Sequence, residues 1–272
     1  MSPEELATAT YRAMCEAPRH VHLARSLLEA EGNTERAVLL DGATCEVREA
    51  ALAHLAVPEG VRERERRLAW LRADSRRIAA ARVYYGAHIA DFCADWMTVT
   101  DPRRVARGQS AAMSFALFPR QRELVGWLIE RFRKGEPGTV VKARDVGASS
   151  VCLATLAALA IFEQDFSAGV ISSTEAKLDR YVDTLFMKLR GLLRDLPPEF
   201  AGGYDEERTS QYLAVTFPAS RGSITGGTGP QAFRGGRLSC VLVDEAAHLI
   251  DSAAIDSALT SVSDVRIDVS TP

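Results

Sequence analysis

The chain has 272 residues, enough to bury a sizeable core and to contain more than one domain. Hydrophobic residues make up 47% of the sequence and charged residues 25%, a balance typical of a soluble globular protein. The formal net charge of −3 excludes a globally basic nucleic-acid-binding protein, so any contact with DNA must be local.

The cysteines and the N-terminus predict the cellular compartment. The five cysteines contain no CxxC pair and no metal-ligand spacing, so we expect reduced thiols. The N-terminus lacks an apolar signal core, and the most apolar stretch, residues 151–162, is too short to span a bilayer. These features predict a cytoplasmic protein that does not act at a membrane.

Residues 1–60 are predicted to be a helical N-terminal region, because Gly and Pro turn signals separate short helical patterns. Residues 33–55 contain two such segments around Gly42. This pattern has two interpretations, a plain helical hairpin or a DNA-reading helix-turn-helix. The spacing from Gly42 to Val47 is one residue shorter than the second interpretation requires.

Residues 61–105 are predicted to form a helical linker or lid region. Residues 61–82 carry eight arginines against three acidic residues. This segment is either a solvated helix face with intrahelical ion pairs or a surface for a phosphate backbone or a partner subunit. Residues 96–118 are expected to be a loop-rich crossing into the core domain.

Residues 106–272 are predicted to form one α/β domain, because helical and apolar strand patterns alternate. Helices are expected at 120–134, 151–164 and 175–194, and strands at 139–143, 168–173, 212–217, 223–225, 239–243 and 265–270. The expected fold is a mostly parallel P-loop NTPase sheet of the ASCE type, flanked by helices and preceded by the helical N-terminal region. Ligands of such sheets bind at the carboxyl ends of the strands.

Two segments at predicted strand ends carry the chemistry. Residues 139–150, TVVKARDVGASS, lead from a strand through a glycine-containing loop into an apolar helix. Residues 239–245, SCVLVDE, form an apolar run that ends in Asp244 and Glu245. This is the layout of a nucleoside triphosphatase, in which one segment cradles phosphates and the other holds Mg²⁺ and activates water. We therefore predict that the chain binds ATP and Mg²⁺.

The phosphate loop lacks its usual lysine, because Ala148 stands between Gly147 and Ser149. Phosphoryl transfer needs a cation near the β- and γ-phosphates, where charge develops. Two cations lie just upstream, and the side chain of either Lys142 or Arg144 can fold back over the loop. Arg144 is also a candidate for an internal arginine finger.

The hydroxyl and carboxylate residues are assigned to metal and water. Ser149 and Asp244 are the predicted Mg²⁺ ligands, and Glu245 is the predicted base that polarises the attacking water. Ser149 and Ser150 also begin the helix, where backbone N–H groups attract phosphate. The alternative is an ordinary strand-to-helix turn, with Asp244 and Glu245 only capping the helix that follows them.

Two further residues are open to more than one interpretation. Arg234, in GPQAFRGGR, is a second candidate for the arginine finger, since Gly235 and Gly236 follow it as a flexible hinge. The same stretch is equally compatible with a plain surface loop. His248 is interpreted as a helix-surface residue rather than as a base.

Four segments in order, FPRQRELVGWL (118–128), KARDVGASS, CVLVDEAAH and the closing VSTP, resemble the ATPase domain of the large terminase subunit of tailed bacteriophages. The resemblance extends over residues 84–272. It implies a variant phosphate loop with a displaced lysine, an adenine-contacting glutamine and a coupling motif that links γ-phosphate loss to movement of the DNA-gripping part. The residues that match are Lys142, Arg144, Gly147, Ser149, Gln121, Ser270, Thr271 and Pro272.

The resemblance implies the ATPase module of a motor that drives double-stranded DNA into a procapsid in the bacterial host cytoplasm. Its expected partners are DNA, the small terminase subunit and the portal protein, with a homo-oligomer only in the assembled motor. Large terminases usually continue into a nuclease domain. We therefore expect a fragment, an engineered truncation or a degraded prophage gene, without nuclease activity. The alternatives are a catalytically silent nucleotide-, DNA- or partner-binding remnant, which Ala148 favours, and a helicase-like ATPase.

Overall fold

The computed structural model describes residues 2–15, 57–144, 146–180, 183–229, 231–233, 235–249 and 252–272. They fall into two compact units, Met1–Arg120 and Gln121–Pro272. The segment 33–55, with its possible helix-turn-helix, lies outside the described residues, and so does Arg234. The domain boundaries expected after residues 60 and 105 stay predictions, because contacts within a native structure do not measure independent folding.

The first unit is mainly helical and ends in a β-hairpin. Among its described residues, the helices are α1 Pro3–Cys15, α2 Val57–Arg72, α3 Ser75–Ala87 and α4 Ile89–Trp96, and the strands are β1 Thr98–Thr100 and β2 Ala112–Ser114. The two strands pair antiparallel. The segment 96–118, expected to be loop-rich, is therefore largely this hairpin. The connection between β1 and β2 contains a 3₁₀-helix, Pro102–Arg107, which the side chain of Asp101 caps.

Several arginines of α2 and α3 are bonded within the first unit. The Arg64 guanidinium donates to the backbone oxygen of Asp95 at 2.8 Å. The carboxylate of Asp95 is buried, and it accepts from Arg67 at 2.5 Å and from the Tyr85 hydroxyl at 2.8 Å. The Arg77 guanidinium lies 4.1 Å from the centre of a tryptophan ring of α2. These arginines hold the helices together, which favours the structural interpretation of the arginine-rich segment at these positions.

The second unit contains a seven-stranded, mostly parallel sheet, which confirms the predicted fold class. In order along the sheet, the strands are β3, β9, β8, β4, β7, β6 and β5. The first five are parallel, and β6 and β5 run antiparallel to their neighbours. The bounds are β3 Gly138–Val141, β4 Ser167–Ile171, β5 Ser210–Gln211, β6 Ala214–Phe217, β7 Gly222–Gly227, β8 Cys240–Asp244 and β9 Arg266–Ser270.

Helices flank this sheet. They are α5 Pro119–Lys134, α6 Ala148–Phe162, α7 Leu185–Leu193 and α8 Ser252–Thr260. Helix α6 is buried along almost its whole length, as its nearly continuous apolar sequence predicts for a helix covered by its neighbours. A 3₁₀-helix, Ala246–His248, separates β8 from α8.

The continuous helix predicted over 175–194 is wrong. A short π-helical turn, Ala176–Arg180, is broken by the non-helical backbone of Asp179, with φ −152°, and α7 begins only afterwards. The reason is tertiary. The Asp179 carboxylate accepts from the Arg190 guanidinium at 2.5 Å and from the backbone N–H of Leu213 at 2.7 Å. The first bond ties the segment to α7 and the second ties it to the connection between β5 and β6, and together they outweigh its helical propensity.

The alternation of side chains along β8 decides where the site forms. All five residues of β8 are buried, as expected for a strand covered on both faces. Val241 and Val243 pack with residues of α8. Cys240 and Leu242 point the other way and line a small apolar cavity with residues of α5 and α6. Asp244 continues the second set, so its carboxylate lies on the α6 side of the sheet.

Within the described ranges, no helix is both long and apolar enough to cross a membrane. Cys93, Cys152 and Cys240 are buried free thiols. Burial raises the pKa of Cys152 and of Cys240 to about 12, so both stay protonated and unreactive.

Candidate functional site

The loop between β3 and α6 ends at a helix N-terminus that is open to an anion. Gly147 is the N-cap of α6 and has φ 75°, in the left-handed region that glycine adopts without strain. Because glycine has no side chain, this cap residue leaves the N–H groups of the first turn without a side-chain acceptor of its own. The N–H groups of the first turn can therefore bind an anion, which the helix dipole also favours.

Four of the predicted residues meet beside this helix end. The Lys142 Nζ lies 3.2 Å from the Glu245 Oε1 and 3.4 Å from the Ser149 Oγ. The Ser149 hydroxyl donates to the Asp244 Oδ1 at 2.8 Å. We call Lys142, Ser149, Asp244 and Glu245 the polar cluster. It joins the end of β3, the first turn of α6 and the end of β8.

A sharp turn after β8 places two consecutive carboxylates in the same cluster. Consecutive side chains of a strand point to opposite faces, so an extended chain would direct Asp244 and Glu245 apart. Glu245 instead has φ 55°, in the left-handed region that is strained for a residue with a side chain. Strain of this kind is found where function requires a particular side-chain direction. Here it accompanies the contact between Glu245 and Lys142.

The pKa values of Asp244 and Glu245 shift in opposite directions. Burial raises the pKa of Asp244, and the hydrogen bond from Ser149 and the charge of Lys142 offset this only in part. Burial also acts to raise the pKa of Glu245, but the hydrogen bond and charge of Lys142 outweigh it and lower that pKa. Glu245 is therefore ionised at neutral pH, while Asp244 is a desolvated carboxyl group that a further cation would stabilise.

Gln121 lies against the phosphate loop. Its Nε2 donates to the backbone oxygen of Val146 at 3.0 Å, across a sequence separation of 25 residues. A Cβ built at Gly147 would lie 3.0 Å from the same nitrogen. The predicted adenine-contacting residue is thus next to the loop, and its amide positions the loop backbone.

The remaining predicted loop residues lie outside the polar cluster. Arg144 is exposed and makes none of the contacts that join the four cluster residues. Ala148 is buried, with 6% exposure, so the position that usually holds lysine faces the interior. Ser150 is half-buried in the first turn of α6.

The coupling motif predicted at the end of β9 contacts both sides of the site. Ser270 accepts from the backbone N–H of Lys142 at 3.0 Å through its carbonyl oxygen, and from the N–H of Ala247 at 3.2 Å through its hydroxyl. Ser270 and Thr271 are buried, and Pro272 is exposed. The motif therefore touches both the start of the phosphate loop and the segment that follows Glu245.

His248, which was predicted to be a surface residue rather than a base, also lies close to the polar cluster. Its side chain is 52% exposed, yet the Nε2 lies 3.7 Å from the Glu245 Oε2 and 3.4 Å from the Thr271 Oγ1. A signal existed in the sequence, since residues three apart face the same way in a helical turn. The contact with Thr271 has no local signal, because 23 positions separate the two residues.

The sheet order, the glycine loop before α6 and the carboxylates that end β8 define the class of fold. It is a terminase-like ATPase fold, and the predicted resemblance to large terminases is confirmed at the level of fold. The chain is similar to the crystal structure of the HK97 bacteriophage large terminase, with a TM-score of 0.50 and 14% sequence identity. The match covers 68% of this chain and 37% of that one, so the chain spans little more than a third of the terminase's length. No protein-family profile and no curated protein matches the chain.

The close approach of Gln121 to Gly147 predicts that a side chain added at position 147 destabilises the fold. Gly147→Ala should lower the free energy of unfolding by more than the roughly 1–2 kcal/mol expected from positive φ alone, because the new methyl group also meets the Gln121 amide. Gly135→Ala is the matched control, with φ 67° and nothing within 4 Å of the new Cβ. Urea denaturation of both variants measures the difference. Equal losses would contradict a tight approach of Gln121 to the loop.

Proposed function

We propose that the chain is the ATPase module of a viral DNA-packaging motor and that it hydrolyses ATP with the help of Mg²⁺. The observation that carries the nucleotide part is the polar cluster, in which Ser149 and Asp244 are bonded at 2.8 Å and Lys142 lies between Ser149 and Glu245. The DNA-packaging part is supported by the likeness in fold to the HK97 large terminase and by the order of the four motifs. The proposal places the reaction in the cytoplasm of a bacterial host.

The oxygens of the cluster fit Mg²⁺. Mg²⁺ prefers hard oxygen ligands, takes only one or two from the protein and completes its shell with water and phosphate oxygens. Ser149 and Asp244 supply such a pair, and the raised pKa of Asp244 reflects a buried carboxyl group that lacks full compensation. When bound, the ion would neutralise charge that develops between the β- and γ-phosphates.

Lys142 is the cation for the phosphates. Its side chain is only 13% exposed and its ammonium group already lies within 3.4 Å of the Ser149 hydroxyl, at the mouth of the open helix end. A small rotation would bring it from Glu245 to an oxygen bound at the α6 N-terminus. This supports the displaced-lysine interpretation over Arg144, whose side chain is exposed.

Glu245 is the base. Its carboxylate is 24% exposed, which allows access of water, and its lowered pKa keeps it ionised at neutral pH. As the water oxygen forms a bond to the γ-phosphorus, the bond from that phosphorus to the β–γ bridging oxygen breaks, ADP leaves with that oxygen, and the Glu245 carboxylate accepts the proton that the water loses. Asp244 stays with the metal, so the two adjacent carboxylates have separate tasks.

Loss of the Lys142 ammonium should impair nucleotide use. Lys142→Ala is expected to reduce kcat/KM for ATP at least roughly tenfold, or about 1.4 kcal/mol of transition-state stabilisation. Steady-state phosphate release measures this. Lys134→Ala removes an exposed lysine of the same unit and should leave turnover unchanged. A normal Michaelis profile for Lys142→Ala would transfer the role to Arg144.

Substitution of the two carboxylates should separate binding from chemistry. Glu245→Gln should retain Mg²⁺-dependent ATP binding and lose hydrolysis, because the amide cannot accept the proton. Asp244→Asn should weaken the Mg²⁺ dependence of binding, since a charged ligand is lost. Binding is measured with a fluorescent ATP analogue with and without Mg²⁺, and hydrolysis by phosphate release. Normal hydrolysis by Glu245→Gln would refute the base assignment, and binding without hydrolysis by the unsubstituted chain would favour the silent binding module.

The β1–β2 hairpin is the candidate for contact with DNA. Its 3₁₀-helix carries Arg103, Arg104 and Arg107, and Asp101 is the one acidic residue of the connection. Arg103 and Arg107 are exposed, in contrast to the arginines of α2 that are bonded inside the unit. Arginines in such a position suit a phosphate backbone and give sequence-independent binding.

Removal of one hairpin arginine should weaken binding to duplex DNA and make it less sensitive to salt. Arg103→Ala or Arg107→Ala should each reduce the slope of log K against log salt by about 1. Arg76→Ala is the matched control, because Arg76, like Arg103, is exposed and pairs with a capping aspartate two residues earlier. Fluorescence anisotropy at several salt concentrations measures the slopes. Equal slopes for the hairpin variants and the control would exclude this surface.

The other partners in the proposal are the small terminase subunit, the portal protein and further copies of the chain in the assembled motor. They are taken from the resemblance to large terminases, and no contact within the chain identifies their surfaces. Co-purification of the chain with each partner expressed separately is the direct measurement.

A further inference from the structure

His248 lies between the catalytic end of β8 and the coupling end of β9. Its backbone N–H donates to the carbonyl oxygen of Glu245 at 2.9 Å, which fixes the start of the side chain. Its imidazole Nε2 lies 3.7 Å from the Glu245 Oε2 and 3.4 Å from the Thr271 Oγ1. Thr271 is buried, so its hydroxyl has few alternatives to this partner.

The two carboxylate oxygens of Glu245 are approached by different groups. Lys142 contacts the Oε1 at 3.2 Å and His248 approaches the Oε2 at 3.7 Å. If Lys142 turns to bound phosphates, as the proposed function requires, Glu245 loses its hydrogen-bonded cation. Among the described side chains in contact with Glu245, His248 then remains, and it can hold the carboxylate in the direction that proton transfer needs.

The His248 Nε2 can hydrogen-bond to Glu245 only by weakening its contact with Thr271. A neutral histidine Nε2 carries either one hydrogen or one lone pair, so it cannot fully satisfy Glu245 and Thr271 together. Release of Lys142 leaves the Glu245 carboxylate short of a donor, which favours an Nε2–H bond to Glu245 and weakens the contact with Thr271. The state of the phosphates is thereby communicated to the end of β9.

We propose that His248 is a positioning residue that holds Glu245 for proton transfer and links it to Thr271. This role rests on the proposed function, in which Glu245 is the base for ATP hydrolysis. It also assigns a physical connection between the catalytic carboxylate and the coupling motif, through one side chain that contacts both.

The experiment compares His248→Ala, His248→Gln, Thr271→Val and the double variant His248→Ala/Thr271→Val with the unsubstituted chain. His248→Ala should lower kcat for ATP about five- to tenfold with KM unchanged, because only the orientation of the base is lost. His248→Gln should restore most of kcat, since its amide can donate over a similar reach. Thr271→Val should change kcat in the original chain but have no further effect in His248→Ala, because the contact is already absent.

The outcomes separate this role from a structural one and from the proposed function. Thermal unfolding of each variant shows whether it is folded. Equal loss of kcat in the Ala and Gln variants, a change confined to KM, or additive effects of His248→Ala and Thr271→Val would each overturn the link. Unchanged kcat in His248→Ala, with turnover in the unsubstituted chain, would refute only this inference. Lack of turnover in the unsubstituted chain would refute the proposed ATPase and the His248 role with it.

Discussion

The burial of Asp244 at the end of β8 is the constraint on which the rest of the site depends. This carboxyl group is 8% exposed, and burial raises its pKa. A buried carboxylate is costly unless a donor and a positive charge are near. The Ser149 hydroxyl and the Lys142 ammonium supply them, and both belong to the loop and helix that follow β3. The incomplete compensation of this buried carboxyl group is what would favour a bound metal ion.

The sheet determines how these groups reach one another. Because β9 lies between β3 and β8, the loop after β3 and the carboxylates after β8 have to meet across the end of a third strand. That strand end is Ser270, which bonds to the backbone of Lys142 on one side and of Ala247 on the other. Any displacement of the loop relative to β8 must therefore change the bonds of Ser270. The end of β9 is therefore the point of the sheet that contacts both the start of the loop and the segment after Glu245.

The sequence allowed the mostly parallel sheet to be predicted, because apolar runs such as 239–243 are covered on both faces and local patterns suffice to identify them. The polar cluster was predicted from glycine and carboxylates at strand ends. What could not be predicted depended on distant partners. The break at Asp179 depends on Arg190 and Leu213, and the contact of His248 is with Thr271. Neither pairing has a local signal in one sequence.

A lysine at position 142 and a lysine at position 148 are attached to different parts of the fold. A lysine at position 148 would project from the first turn of α6, but Ala148 is buried there. Lys142 instead projects from the chain just after β3, where its backbone N–H is bonded to Ser270. Lys142 is thus joined to the end of β9 by a backbone hydrogen bond, whereas a lysine on α6 would be separated from β9 by the whole loop. If Lys142 is the cation for the phosphates, as proposed, the residue that binds them is therefore held through its backbone by the end of β9.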